Sequence, residues 1–161
     1  LSKNPLTSDG IRPLLDPLNM ESSPSRLKIL NLNDTQLGSK GGAVLASILH
    51  HNRSIEKLYV SHNNLGVKGM KAMAPELAKN SMLRFLDVSH NSIKKQGAVQ
   101  LVDCLMSSTE SALEVLDVSG NKLKAAGMQP FARLLAADRR ITGFYAGHNE
   151  IGTEGASILH N

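Results

Sequence analysis

The chain has 161 residues, of which 41% are hydrophobic and 20% are charged. This balance is typical of a globular domain and excludes collagen-like and low-complexity chains. Lysine and arginine exceed aspartate and glutamate by 18 − 14 = +4, an excess too small to predict a nucleic-acid tail or a polybasic membrane anchor.

An apolar pattern of the form Leu-x-x-Leu-x-Leu recurs along the chain. Successive starts are separated by 28, 28, 30 and 28 residues, and they lie at Leu27, Ile55, Leu83, Leu113 and Ile141. The apolar spacing changes from two residues to three and four within each unit, which predicts a β-strand followed by an α-helix. A glycine fourteen residues after each start is predicted to open the helix.

The repeats divide the whole chain in order. Residues 1–26 are a partial repeat, because Leu1-x-x-Asn4-x-Leu6 followed by Gly10 reproduces the second half of the pattern. The remaining predicted units are 27–54, 55–82, 83–112, 113–140 and the partial repeat 141–161. Solenoids need polar terminal units for solubility, and the repeats at both ends of this sequence lack them. The sequence therefore predicts a single array that is a piece of a longer protein.

Two residues are predicted to have local structural effects. Pro75 lies deep in the predicted helix of its unit and predicts a displaced helix start or a kink. Cys104 occupies a position where other units place isoleucine or leucine, which predicts a buried core thiol. A lone cysteine and the lack of a long apolar run favour a cytoplasmic protein without a membrane span.

A column of asparagines is predicted at the turn that leaves each strand. Their amides are expected to satisfy backbone donors and acceptors of these turns as a stacked ladder. The members of the column are Asn4, Asn63, Asn91, Asn121 and Asn149. Thr35 occupies the same place in its unit, and its shorter side chain leaves the local hydrogen bonding open.

The spacing Leu-x-x-Leu-x-Leu-x-x-Asn-x-Leu, in units of about 28 residues, resembles the ribonuclease-inhibitor-like class of leucine-rich repeat proteins. The resemblance covers the whole chain. It implies an α/β fold, a right-handed solenoid forming a horseshoe segment with parallel strands on the concave face and helices on the convex face. Relatives of this class include the Ran GTPase-activating protein, the repeat domains of innate immune receptors and the actin regulator CARMIL.

Such a fold is expected to be a protein–protein interaction scaffold within a larger regulatory, cytoskeletal or signalling protein. The partner-binding residues are predicted on the strands, beside the inward leucines, where side chains face outward. They are Tyr59, Phe85, Asp87, Val115, Asp117 and Tyr145. The other interpretation is that Leu-Asp-Val-Ser is a frequent sequence in repeats of this kind and that its aspartates are simply solvated.

A basic rim is predicted where each strand leads into its helix. Its lysines would attract an acidic protein surface or phosphate groups, or would form a solvated edge that keeps the solenoid soluble. The rim consists of Lys40, Lys68, Lys94, Lys95, Lys122 and Lys124. Since no aromatic residues alternate with these lysines, we do not expect single-stranded nucleic acid as a partner.

No catalytic motif is recognisable in the sequence, so we expect neither an enzyme nor a cofactor. His62, His90 and His148 share one repeat position, but Gly120 interrupts their column and a structural zinc site would need four ligands. No metal is therefore predicted. The alternative functions are a GTPase-activating protein of the Ran type, implied by the resemblance, and the sensor repeat domain of an innate immune receptor.

Overall fold

The computed structural model describes residues 1–19 and 26–160, in which short strands alternate with helices. The strands are β1 (Ile29–Asn31), β2 (Lys57–Tyr59), β3 (Phe85–Asp87), β4 (Val115–Asp117) and β5 (Gly143–Tyr145). The helices are α1 (Thr7–Asn19), α2 (Gly38–His51), α3 (Gly66–Lys79), α4 (Lys94–Met106), α5 (Lys124–Ala137) and α6 (Gly152–His160). The predicted unit 1–26 includes residues 20–25, which lie outside the described residues.

The described strands form one parallel sheet in the order β1-β2-β3-β4-β5. Equivalent residues of successive units pair in register, so that Leu58 lies between Leu30 and Leu86. Sequential strands are therefore neighbours, and each helix packs beside the helices before and after it. This arrangement confirms the prediction of an α/β leucine-rich-repeat solenoid.

The core lies between the sheet and the helices. The middle residue of each strand points into it, because side chains alternate across a strand, and Leu58, Leu86 and Leu116 are fully buried. Helical residues three and four apart cover these leucines from the other side, as Ala98, Leu101 and Leu105 do in α4. Burying each large apolar side chain contributes roughly 1.5–3 kcal/mol, so the repeated pattern supplies most of the stabilisation.

The helices begin three residues earlier than the sequence analysis predicts. The glycine expected to open the second helix is Gly41, whereas α2 begins at Gly38. The periodic glycines therefore lie in the fourth helical position, and their function is steric. A Cβ atom at Gly97 would lie 2.9 Å from the Cβ of Ile93, and one at Gly127 would lie 2.9 Å from the Cβ of Leu123.

Pro75 neither interrupts its helix nor displaces the helix start relative to the other units, contrary to the first of the two predicted effects. Helix α3 is continuous from Gly66 to Lys79, and Pro75 lies inside it with its side chain exposed. Pro130 also lies inside a continuous helix, α5, where it is buried. Because the helices start earlier than predicted, both prolines lie in helix interiors, and packing against neighbouring helices outweighs the cost of proline there.

Candidate functional site

One face of the sheet is not covered by helices, and we call it the open face. It carries the residues on either side of the middle residue of each strand, arranged in two columns across the sheet. The first column is Ile29, Lys57, Phe85, Val115 and Gly143, and the second is Asn31, Tyr59, Asp87, Asp117 and Tyr145. All six residues predicted to bind a partner lie in these columns.

The large apolar side chains of the open face are not all in contact. Tyr59 and Phe85 form a tilted pair with ring centroids 4.9 Å apart, and both are half-buried. Tyr145 lies three strands from Tyr59 and is 57% exposed. Ile29, at the other end of the first column, is 53% exposed. The open face therefore presents a central aromatic pair with separate apolar side chains on either side.

The two aspartates occupy register partners in the middle of the second column. Asp87 Oδ1 accepts the backbone N–H of Ser89 at 2.9 Å, and Asp117 Oδ1 accepts that of Ser119 at 2.9 Å. Asn31 Oδ1 accepts the Asn33 N–H in the same way at 3.0 Å. The aspartates thus hold the turn after their strand with one oxygen, a function in addition to the solvated one considered from the sequence.

A row of ion pairs, which the sequence did not predict, lies along the start of the strands. The Lys28 ammonium lies 2.7 Å from the Glu56 carboxylate, and Arg84 pairs with Glu114. The hydrogen bond from Lys28 lowers the pKa of Glu56. Alternating charges at one repeat position were the signal that could have revealed this row. These cations are consequently already paired with carboxylates and do not neutralise the aspartates of the open face.

The predicted asparagine ladder is confirmed at Asn63, Asn91, Asn121 and Asn149, which are buried. The amide nitrogen of each donates to carbonyls of its own turn and of the preceding unit, and the amide oxygen accepts N–H groups of the preceding unit. Asn4 makes the same bonds within its own turn, to Leu1 and Ser2 at 3.1 Å, although it is exposed.

Thr35 replaces part of the asparagine function in its unit. Its hydroxyl donates to the Leu32 carbonyl at 2.8 Å, and its backbone N–H donates to Asn63 Oδ1 at 3.1 Å. The hydrogen bonding left open by the sequence is therefore satisfied at this turn. The ladder holds consecutive strand exits in one register and so fixes the spacing of the open-face columns.

A second polar ladder, also absent from the sequence analysis, lies where each helix leads into the next strand. Asn80 Oδ1 accepts the N–H groups of Met82 and Leu83, while its amide nitrogen donates to Leu49 at 2.7 Å. The corresponding residues of the other units are Asn52, Ser108 and Asp138. The sequence did not predict this ladder because asparagine, serine and aspartate all accept the same backbone N–H, so no single residue type repeats at this position.

Arg140 connects this ladder to residues 107–111, which follow helix α4 in the unit that is 30 rather than 28 residues long. Its guanidinium donates to the Ser111 carbonyl at 2.9 Å and to the Ser108 carbonyl at 3.3 Å. The same group pairs with Asp138 at 2.7 Å, and the hydrogen bond from Arg140 lowers the pKa of that carboxyl. The extra residues of this unit are therefore tied to the next unit by one side chain.

Two of the three histidines in the predicted column are brought together. The rings of His62 and His90 stack with centroids 4.2 Å apart and an interplanar angle of 8°. A Cβ atom at Gly120 would overlap the His90 ring, so the glycine that interrupts the column also provides room for the stack. Within the described part of the chain, no three His, Cys, Asp or Glu side chains form a group that could hold a metal ion.

The lysines of the predicted basic rim are all exposed at the strand-to-helix edge. None of the six forms an ion pair with a carboxylate among the described residues. The four helices α2 to α5 begin there without an acidic residue in their first turn. Since helix N-termini carry positive partial charge, the rim combines two sources of positive potential.

Cys104 differs from its prediction because it is half-buried rather than buried. It packs against the edge of the core and lines a groove of about 460 Å³ on the helical side, together with Pro75 and Ser108. Burial raises the pKa of its thiol. Among the described helices, none has both the length and the apolar character needed to cross a membrane.

Comparison with known proteins supports the repeat architecture. A family model described as "Leucine Rich repeat" matches residues 25–46, 51–74, 79–102 and 111–132. A search of curated proteins finds no match. Among solved structures, the chain is similar to one titled "Leiomodin-1 Actin-Binding Site 2 (ABS2)", with a TM-score of 0.72 and 15% identity, covering 90% of this chain and 86% of that one. At this identity the likeness is one of fold.

Proposed function

The chain belongs to the leucine-rich repeat family, and on that premise we propose that it is a scaffold whose open face binds a protein partner. The observation that carries the proposal is that one face of the sheet is packed while the other presents large apolar side chains, of which Ile29 and Tyr145 are exposed and Tyr59 and Phe85 are half-buried. Aromatic side chains of this kind are the usual anchors of protein interfaces. Binding needs no catalytic group or cofactor, and we propose none.

The stacking geometry favours the open face over the helical face. Parallel strands stack at about 4.8 Å, whereas packed helices need roughly 8–10 Å, so the stack bends with the sheet inside. We propose that this side is concave, as in ribonuclease-inhibitor-like repeats, and that it directs outward residues of the five described strands of the sheet toward one partner surface. Because the contact groups are held by a preformed sheet, binding does not have to order a flexible loop.

Leiomodin-1, the similar structure, carries an actin-binding site by its title, so actin is the first protein that we propose to test. The chain would be sedimented with filamentous actin and titrated with monomeric actin. In parallel, a phage-displayed library of random peptides would be selected against the folded chain. This second arm identifies ligands of the folded chain even if actin is not the partner.

Replacing the three aromatic residues of the open face is expected to abolish most of the binding. In the triple variant Y59A/F85A/Y145A, we expect at least a tenfold higher Kd for the ligand found, because each truncated anchor costs about 1–2 kcal/mol. The three side chains are half-buried or exposed, so the variant should stay folded by circular dichroism. Calorimetric titration with the wild type and the variant measures the change.

A matched triple substitution on the helical side serves as the control. Val67, Val99 and Met106 are half-buried or exposed apolar residues of α3 and α4. V67A/V99A/M106A should leave the Kd within about twofold of the wild type, since truncations outside an interface cost little. If the folded open-face variant bound every ligand as tightly as the wild type, the open face would not be the binding surface.

We further propose that the basic rim attracts an acidic surface of the partner. The observation in its favour is that six exposed lysines lie without ion pairs beside four helix N-termini without acidic residues. Poly-L-glutamate is the probe, and its fluorescence anisotropy reports binding. Neutralising all six lysines to glutamine should weaken binding by at least about tenfold at low salt, and salt should weaken wild-type binding, because exposed charges are screened.

Lysines outside the rim provide the control for this experiment. Lys57 and Lys79 are also exposed, but they lie at the start of strand β2 and at the end of helix α3, away from the strand-to-helix edge. Changing these two to glutamine should have less than about a twofold effect if position, rather than total charge, controls the attraction. Equal weakening per lysine in both variants would contradict a localised rim.

A further inference from the structure

The central part of the open face combines negative charge with flanking aromatic rings. Across the second column, Tyr59 is the register partner of Asp87, Asp87 of Asp117, and Asp117 of Tyr145. Two adjacent carboxylates therefore lie between two tyrosines on successive strands, which are about 4.8 Å apart. Like charges directly opposite each other in a sheet are destabilising, so this arrangement costs stability in the free protein.

The cations around this column do not neutralise the two aspartates. Lys28 and Arg84 pair with Glu56 and Glu114 at the start of the strands. Lys57, in the first column, contributes to lowering the pKa of Glu56. Among the described residues, no ion pair involves Asp87 or Asp117. The open face thus has unneutralised negative charge at its centre, and its cations are concentrated at one edge.

Resting on the function proposed above, we propose that the partner inserts an arginine side chain against Asp87 and Asp117, with its aliphatic stem and guanidinium plane against Tyr59 or Tyr145. The guanidinium has donors on more than one edge and can therefore contact two carboxylates on neighbouring strands. A planar cation also stacks on a tyrosine ring, which a compact ammonium group does less well. The occupant is accordingly an arginine-bearing segment of a protein.

The hydrogen bonds of the two aspartates make the proposal testable without unfolding the sheet. Asp Oδ1 accepts a serine N–H in each turn, and the asparagine at position 31 accepts the equivalent N–H with the same atom. D87N/D117N therefore removes both charges while keeping the turn hydrogen bonds. The backbone amides of Ser89 and Ser119 are direct reporters of what happens at the carboxylates.

The experiment is an NMR titration of the isotope-labelled chain with N-acetyl-arginine amide and, separately, N-acetyl-citrulline amide, which has a similar shape but no charge. We expect saturable shifts of the Ser89 and Ser119 amides with the arginine probe and at least about a tenfold higher Kd for citrulline. D87N/D117N should raise the Kd for arginine by at least about tenfold. E110Q, which neutralises an exposed carboxylate in the segment 107–111, should leave it unchanged.

Equal binding of arginine and citrulline, or arginine shifts that persist in D87N/D117N, would overturn this inference. Shifts confined to Glu56 and Glu114 would overturn it as well, because they would place the cation at the existing ion pairs. The selected peptides separate this inference from the proposed function. Peptides that depend on Tyr59, Phe85 and Tyr145 but need no arginine would refute the arginine site and leave the open-face scaffold standing.

Discussion

Replacing Asn91 by alanine is expected to lower the free energy of unfolding by about 3–5 kcal/mol. The Asn91 side chain is fully buried. Its oxygen accepts the backbone N–H groups of Asn63 and Leu65 at 3.1 and 3.2 Å, and its nitrogen donates to the carbonyls of Val60, Val88 and Ser89 at 2.8, 3.1 and 2.9 Å. Each buried polar group left unsatisfied costs about 1–3 kcal/mol. Urea unfolding followed by circular dichroism measures the loss.

The chain itself provides an intermediate substitution for this position. Thr35 donates a hydroxyl hydrogen bond to the Leu32 carbonyl at the equivalent turn, so N91T should lose less stability than N91A. As the control, Gln96 is exposed in helix α4 of the same unit, and Q96A should change the free energy of unfolding by less than about 0.5 kcal/mol. A loss below about 1 kcal/mol for N91A would mean that the ladder does not hold the units together.

Replacing Gly42 by alanine is expected to destabilise the protein by about 3 kcal/mol, although alanine is the better helix former. A Cβ atom at Gly42 would overlap the backbone carbonyl and Cα of Gly69 in the next helix. Because a backbone cannot turn aside as a side chain can, helices α2 and α3 would have to separate. Thermal unfolding measured by circular dichroism should show a lower Tm for G42A.

Gly10 offers a matched substitution with the opposite expected sign. It lies in helix α1, and the nearest atom to a Cβ there is the Thr7 hydroxyl oxygen at 3.9 Å, an ordinary contact distance. G10A should therefore gain roughly 0.5–1 kcal/mol from helix propensity alone. If G42A and G10A shifted the Tm equally, the close approach of α2 and α3 would not be a feature of the folded protein.

The repeated part of the fold could be predicted from the sequence because one side chain has the same task in every unit. Leu58 and Leu86 each fill the same core position, and Asn63 and Asn91 each close the same turn. The helix starts could not be located in this way. Glycine at the fourth helical position avoids a contact with the Cβ of the apolar residue four positions earlier. The spacing of glycines in the sequence does not distinguish this steric constraint from a helix cap.

The open face was predictable to the level of columns, since alternation along a strand determines which side chains leave the core. Contacts between side chains of neighbouring units could not be predicted. The Tyr59–Phe85 ring pair and the Lys28–Glu56 ion pair depend on rotamers and on the register of neighbouring strands. The second turn ladder was not predicted because Asn80, Ser108 and Asp138 accept similar backbone hydrogen bonds with different side chains. A search for repeated residue types does not detect a position at which different residues form the same backbone hydrogen bond.

The most direct test of the binding surface is a map of backbone-amide chemical shifts when the tightest selected peptide is added to the isotope-labelled chain. If the partner binds the open face, the largest changes fall on strands β2 to β5, at residues such as Tyr59, Asp87, Asp117 and Tyr145. Changes confined to the outer surfaces of helices α2 to α5, with the strand amides unmoved, would contradict binding at the open face.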